Sequence, residues 1–227
     1  MTKILVCGEG PHDVGADEWD NRAKDWHFGE GWLHPLIRRI LGSDIKLVSA
    51  KRSDVVLLPR VQDQHKPLPK GHGAKALAAA YFAKSKGCAA IVFMADNDST
   101  SAKDWSQKCS DISAGINEFS GSLLGVPCVP MATSECWLLG DTKSWPNPDE
   151  RLEEFSNPEN LWGERSDPAA NHPKHVFRRQ CYKAGRSDNR ETRRAIAEHI
   201  SLAELERKCS HSFPPFKADI LKIKKSE

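Results

Sequence analysis

Several features that identify whole classes of protein are missing from this sequence. No apolar run approaches the roughly 20 residues that a membrane-spanning helix requires. The seven cysteines form an odd set without a CxxC pair, and several lie in apolar stretches, which is typical of free thiols in a reducing compartment. The N-terminus enters a strand-like segment directly, without the charged and apolar regions of a signal peptide. We therefore expect a soluble, cytoplasmic protein.

A large net charge is also absent. Lysine and arginine total 33 and aspartate and glutamate total 31, so the net charge of +2 gives no overall field that demands a nucleic-acid partner. The charge is uneven, however, because residues 174–194 hold eight basic residues against two acidic ones. Such a run is as typical of a solvated helical face as of a patch that binds phosphate. As a nucleic-acid-binding surface it would contact phosphate through Arg178, Arg179, Lys183 and Arg186.

Apolar segments that alternate with helical patterns predict an α/β fold. The strand-like segments are 3–7, 44–50, 88–98 and 126–131. The helical segments among them are 32–41, 74–86, 102–120 and 134–141. This alternation is typical of βαβ units, so we predict a mostly parallel sheet flanked by helices.

The character of the chain changes after about residue 142. Prolines punctuate a loop-rich stretch, and helical patterns follow at about 174–184 and 189–209. We therefore divide the chain into an α/β domain over 1–142 and a loop-rich, helical C-terminal extension over 143–227. Residues 14–30 are polar with interleaved tryptophans and are interpreted as a loop or an insertion.

Acidic residues follow three of the predicted strands. Glu9 comes after the first, Asp96 and Asp98 end the segment 88–98, and Glu135 follows the last strand. The carboxyl ends of parallel strands meet at one edge of a sheet, so these carboxylates are expected to converge. Several carboxylates share a small site only when a cation neutralises them, and oxygen donors favour Mg²⁺ or Mn²⁺. The sequence thus predicts a metal site formed by Glu9, Asp96, Asp98 and Glu135.

Each of these residues also has a purely structural interpretation. A glutamate between two glycines, such as Glu9, is most often a turn residue, and a DND sequence after a strand often caps a helix. Glu135 would complement a helix dipole. Gly8 and Gly10 would permit a sharp turn and the close approach of a large ligand. The order of the acidic residues at successive strand ends favours the metal site over these alternatives.

The same segments resemble a known family. ILVCGEGPHD, at 4–13, is similar to the first motif of the Toprim fold, with Glu9 as its glutamate. IVFMADND, at 91–98, is similar to the second motif, with Asp96 and Asp98 as its acidic pair. Toprim domains occur in topoisomerases, bacterial primases and OLD-type nucleases. The shorter segments SECWLLGD, NPENLWG, HPK and HSFPPF resemble small stand-alone Toprim-like proteins of bacteria, some of which occur in phage defence.

The resemblance implies a function for the acidic residues. It favours metal-dependent phosphodiester cleavage of DNA or RNA, with Mg²⁺ or Mn²⁺ as cofactor and Glu9, Asp96 and Asp98 as catalytic residues. In OLD-type nucleases a lysine beyond the acidic cluster assists the chemistry. Lys174 in HPK is the counterpart here, although a surface lysine would look the same.

Other functions of a Toprim-like fold stay open. A topoisomerase is disfavoured because it needs a tyrosine nucleophile and gating domains, and the tyrosines here, Tyr81 and Tyr182, lie in an Ala-rich helix and in the basic stretch. A primase-like polymerase or a nucleotide phosphohydrolase would use the same metal chemistry. The domain could also be a non-catalytic or partner-activated module that acts with a separate ATPase of a defence system. A homo-oligomer is compatible with each alternative.

Overall fold

Parallel strands form the central sheet of the computed structural model, which describes residues 1–20, 24–55, 69–119, 121–146 and 152–225. The strands are β1 (Thr2–Gly8), β4 (Ile45–Lys51), β5 (Ala90–Met94) and β6 (Leu124–Cys128). They lie in the order β4-β1-β5-β6, and every neighbouring pair is parallel. All the carboxyl ends of these strands therefore meet at one edge.

Helices connect the strands and cover both faces of the sheet. Those in the first part of the chain are α1 (Pro11–Val14), α2 (Leu33–Leu41), α3 (Gly71–Ser85), α4 (Ala102–Asn117) and α5 (Glu135–Leu138). Those that follow are α6 (Pro173–Lys183), α7 (Arg190–His199), α8 (Leu202–Lys208) and α9 (Phe213–Lys225). The predicted α/β fold, with its parallel sheet and helical C-terminal part, is confirmed; Ser120, in the predicted helix over 102–120, lies outside the described residues. Within those residues, no helix combines the length and the hydropathy needed to cross a membrane.

The sheet has two apolar faces because successive strand residues point to opposite sides. Leu5 and Cys7 of β1 join a buried cluster with the alanine-rich face of α3 and with α4. Ile4 and Val6 of the same strand join a second cluster with α2, α7 and α9. Strands that are buried on both faces are continuously apolar, which is why the sequence identifies them.

The second apolar cluster joins both parts of the chain in one core. Ile4 and Trp32 belong to the same buried cluster as Phe177 of α6, Ile196 of α7 and Phe213 of α9. The segment over 143–227 therefore packs on the sheet. The boundary at residue 142 follows the change in composition and does not separate two cores.

Two glycines let α3 and α4 pack closely. A Cβ atom at Gly115 of α4 would lie only 2.1 Å from the carbonyl oxygen of Gly73 in α3. This contact holds α4 against α3, and α4 begins four residues after Asp98 and carries Lys108.

Residues 14–30, interpreted from the sequence as a loop or insertion, include an antiparallel hairpin. Its strands are β2 (Ala16–Asp20) and β3 (Asp25–Gly29), with Trp19 paired to Trp26. The loop interpretation is corrected for these residues. Aspartate and glutamate are depleted in strands, so the local composition concealed the pairing.

Candidate functional site

Acidic residues from adjacent strands lie at the carboxyl edge of the sheet. β1 and β5 are neighbours, with Cys7 opposite Phe93, so Glu9 and Asp96 leave the sheet side by side. β6 is the next strand, and the loop after it leads to Glu135 at the start of α5. Adjacent strands are about 4.8 Å apart, so the sheet order brings these acidic residues to one region.

The turn after β1 adds an acid that sequence reasoning left without a role. A Cβ atom at Gly8 would lie 2.7 Å from Val14 Cγ1, so the glycine lets α1 fold back onto the strand. Gly10 faces open space and has an ordinary extended backbone. The turn buries Asp13, whose Oδ1 accepts a hydrogen bond from Trp32 Nε1 at 2.9 Å. Asp13 follows Glu9 by four residues in the first motif, and this spacing was the signal available in the sequence.

Asp96 is buried close to other acids. Its side chain is 8% exposed, its Oδ1 accepts a hydrogen bond from the Ser134 backbone N–H at 2.8 Å, and its Oδ2 lies 3.6 Å from Lys174 Nζ. Burial raises the pKa of Asp96 well above its usual value, and the charges of Glu135 and Asp13 raise it further. Burial likewise raises the pKa of Asp13. A cation is therefore electrostatically favoured among these acids.

Glu135 is held by a buried arginine. Its Oε1 accepts a hydrogen bond from Arg193 Nη2 at 2.7 Å, and Arg193 also donates to both oxygens of Asp188, at 2.7 and 3.1 Å. Burial alone would raise the pKa of Glu135, but the charges of Arg193 and Lys174 and the contact with the Thr133 hydroxyl together lower it. Glu135 Oε2 is buried without a hydrogen-bond partner among the described residues. The Thr133 hydroxyl oxygen beside it is likewise buried without a hydrogen-bond partner among those residues.

Glu9 lies on the exposed side of the same edge. Its side chain is 41% exposed and pairs with Arg52, which follows the neighbouring strand β4. Arg52 Nη1 lies 3.3 Å from His72 Nδ1 at the start of α3. Burial, followed by the nearby charge of Lys108, lowers the pKa of His72.

Asp98 and Lys108 form a further pair beside Glu9. Asp98 has a φ of 55°, and its side chain is 59% exposed, with Oδ2 3.7 Å from Lys108 Nζ. Lys108 Nζ also donates to the carbonyl oxygens of Asp96 at 2.6 Å and Asn97 at 2.9 Å. Lys108 therefore fixes the backbone that carries both aspartates.

Every predicted metal ligand has a cationic partner in this structure. The pairs are Glu9 with Arg52, Asp96 with Lys174, Asp98 with Lys108, and Glu135 with Arg193. In the described part of the chain, no three His, Cys, Asp or Glu side chains are arranged to hold a metal ion. The donor chemistry still fits a hard cation, because all the donors are oxygens and Glu135 Oε2 is unpartnered. Such a cation would replace lysine or arginine as the counter-charge.

The predicted nucleic-acid-binding residues lie on or just after α6. Arg178 is exposed. Arg179 donates to the carbonyl oxygens of Pro168 at 2.7 Å and Ala170 at 3.0 Å. The remaining two also make internal contacts, Lys183 with Glu153 and Arg186 with the Pro146 carbonyl. Part of the predicted basic surface thus also holds the fold together.

Three of the four cationic partners of the acids were missed by sequence reasoning. Arg52 and Lys108 carry no motif, and Arg193 is indistinguishable from its neighbours in the basic stretch. Lys174, which the family resemblance implied, lies at the start of α6 with its backbone N–H 3.3 Å from His172 Nδ1. Its ammonium reaches the acidic cluster from the C-terminal part of the chain.

An open cleft adjoins the exposed acids. Its volume is about 450 Å³, and its lining residues are Asp98, Trp162, Gly163, Glu164, Arg165 and His172. No protein-family model, curated protein or solved structure matches the chain. The function is therefore inferred from the geometry and chemistry of the site.

Proposed function

We propose that this chain is a Toprim-like nuclease that hydrolyses phosphodiester bonds of DNA or RNA with Mg²⁺ or Mn²⁺ as cofactor. The proposal depends above all on the placement of Glu9, Asp96, Asp98 and Glu135 at one edge of a parallel sheet, with Lys174 3.6 Å from Asp96. Open parallel sheets bind ligands at this edge. A role in phage defence and a cytoplasmic location belong to the same proposal and are supported by the resemblance and the composition alone.

The residues have separate roles in this proposal. Glu9, Asp96 and Asp98 would hold the cation, and Glu135 would contribute its unpartnered Oε2. When bound, the cation would activate water and stabilise charge on the phosphate. Lys174 would stabilise the leaving oxygen, which gains negative charge as its bond to phosphorus breaks.

A cleavage assay on labelled single- and double-stranded DNA and RNA, in Mn²⁺ and in EDTA, tests this function. We expect cleavage in Mn²⁺ only, and a loss of about 100-fold or more in Glu9→Gln and Asp98→Asn, since metal and electrostatic effects on this scale are usual for such groups. Asp44→Asn is the matched control, because Asp44 is exposed at the opposite edge, before β4. Equal cleavage by wild type and Glu9→Gln would assign the activity to other residues.

The second candidate, a partner-activated module, is favoured by one observation. All four predicted ligands are paired with cations of the same chain, so the metal site is blocked in the arrangement described. A partner, such as the ATPase of a defence system, would then be needed to separate these pairs.

The variant Arg52→Ala distinguishes the two candidates. It frees Glu9 without touching the acids, whereas Arg38→Ala removes an arginine that pairs with Glu30 away from the site. If the pairs block the site, Arg52→Ala should bind Mn²⁺ more tightly than wild type and gain cleavage, and Arg38→Ala should not. If wild type already cleaves fully and Arg52→Ala changes nothing, no partner is required.

A further inference from the structure

Two exposed aromatic side chains lie before α6 and in its last turn. Trp162 is 48% exposed and Tyr182 is 84% exposed. The ring of Trp162 lies 5.8 Å from that of His172, which caps the helix. Tyr182 follows Lys174 by eight residues, about 12 Å along the helix axis. Large aromatic groups left in water next to a candidate site indicate a contact surface.

Each ring lies in a cleft with cationic groups. Trp162 shares the cleft beside Asp98 with Arg165, with the acid Glu164, and with His172, whose pKa is lowered by burial. Tyr182 lines a groove of about 500 Å³ whose other residues are Pro168, His175, Arg178, Arg179 and Lys183. His175, Arg178, Arg179 and Tyr182 lie at positions i, i+3, i+4 and i+7 and therefore form one face of α6.

The loop before α6 joins the two clefts. His175 lines the Tyr182 groove, and its Nε2 lies 2.8 Å from the carbonyl oxygen of Arg165, which lines the Trp162 cleft. The rings of His175 and His172 are 5.6 Å apart. Lys174, which contacts Asp96, lies between these histidines in the chain. A long ligand can therefore contact both clefts and the acidic edge.

The charge of the Tyr182 groove favours a polyanion, and in the Trp162 cleft Arg165 lies beside the acids Asp98 and Glu164. Arg178 is exposed and has no acidic partner among the described residues, and Arg179 is held by neutral carbonyl groups. Lys183 is paired with Glu153, which offsets one of the three positive charges in the groove. Aromatic rings next to cations are the combination that stacks bases while neutralising phosphates.

We propose that Trp162 and Tyr182 are stacking platforms for the bases of an unpaired nucleic-acid strand, whose phosphates contact Arg165 and Arg178. The inference rests on the proposed nuclease function and names its substrate class as single-stranded nucleic acid. Bases in a duplex are stacked on each other and cannot offer their faces to these rings. DNA and RNA are bound alike, because stacking and phosphate contacts do not involve the 2′-hydroxyl.

Fluorescence anisotropy in EDTA tests this inference without cleavage. The probes are labelled oligo-dT, oligo-U and a DNA duplex, each about 20 nucleotides long, which exceeds the roughly 4–16 nucleotides that one module covers. We expect wild type to prefer both single strands, and Tyr182→Ala and Trp162→Ala to bind them about 5- to 150-fold more weakly. Tyr182→Phe and Trp162→Phe keep a ring and should retain most of the binding. Phe28→Ala, which removes an aromatic side chain 44% exposed on β3, is the control and should bind as wild type does.

The outcomes separate this inference from the proposed nuclease function. The inference is overturned if wild type binds no single strand, if it prefers the duplex, or if both alanine variants bind as Phe28→Ala does. Loss of binding in the alanine variants, combined with no cleavage of any substrate in Mn²⁺, would support the stacking surface and refute the nuclease. Thermal melting of each variant checks that the fold is retained.

Discussion

Asp96 places a carboxyl group at a strand end where ionisation is unfavourable. Burial and two neighbouring acids raise its pKa, so the folded state holds its proton more tightly than the unfolded chain does. The stabilisation that follows is present at pH values below the unfolded pKa and is lost as the pH rises through the folded pKa. Without a metal, the unfavourable ionisation of Asp96 therefore weakens the fold as the pH rises above the unfolded pKa.

We predict that Asp96→Asn stabilises the metal-free protein at pH 7. The gain should grow as the pH rises above the unfolded pKa of Asp96, and it should shrink towards acidic pH. Urea unfolding in EDTA across a pH series measures it, with the exposed Asp44→Asn as the control. If the variant is less stable than wild type at pH 7, the hydrogen bond from Ser134 and the ion pair with Lys174 outweigh the repulsion between Asp96 and the neighbouring acids.

Arg193 has the opposite effect on the fold, because it compensates two acids at once. Its removal in Arg193→Ala would leave Glu135 and Asp188 without a buried counter-charge, which we predict costs about 3–5 kcal/mol of unfolding free energy at pH 7. Arg194→Ala is the control, since its exposed pair with Glu198 contributes less than about 1 kcal/mol. Chemical denaturation measures both, and equal losses in the two variants would contradict a special role for Arg193.

Helices and strands differ in how well the sequence predicts them. β1 and β5 are recognised because burial on both faces makes them continuously apolar. α2 is recognised because Leu33, Leu36, Ile37 and Leu41 form one buried face, and Gly42 ends the helix at a φ of 96°. The β2–β3 hairpin was not predicted, because its acidic residues do not mark it as a strand pair.

The contact between α3 and α4 was also beyond prediction, because it depends on two glycines far apart in the chain. We predict that Gly115→Ala destabilises the protein by about 1–3 kcal/mol, although alanine favours helices, since its Cβ would overlap the Gly73 carbonyl oxygen. Gly10→Ala is the control, because a Cβ there meets nothing within 4 Å. Thermal unfolding compares the two, and a more stable Gly115→Ala would show that the helices can separate at little cost.

The candidate site unites segments from the whole chain, and the sequence predicts only part of it. The acids at the strand ends were predictable because parallel strands share a carboxyl edge. The counter-charges other than Lys174 were not, because they arrive through tertiary packing: Arg52 lies 43 residues from Glu9, and Arg193 lies 58 residues from Glu135. The two parts of the chain share one core, which brings Lys174 and Arg193 to the acidic edge.

This arrangement divides the molecule into an acidic edge and an adjoining aromatic and basic surface on α6. In the proposed function the edge binds the cation, and the surface binds the unpaired strand. Four ion pairs neutralise the acids in this structure, and in the proposed function a divalent cation takes the place of their cationic partners.

Isothermal titration of the metal-free protein with Mn²⁺ tests most directly whether the strand-end acids bind a divalent cation. We predict saturable binding to wild type and to Asp44→Asn, and its loss in Glu9→Gln and Asp96→Asn, because these variants remove one carboxylate donor each. The binding should persist in Tyr182→Ala, which lies outside the acidic cluster. The absence of binding to wild type, or unchanged binding in Glu9→Gln and Asp96→Asn, would contradict a metal site at the ends of β1 and β5.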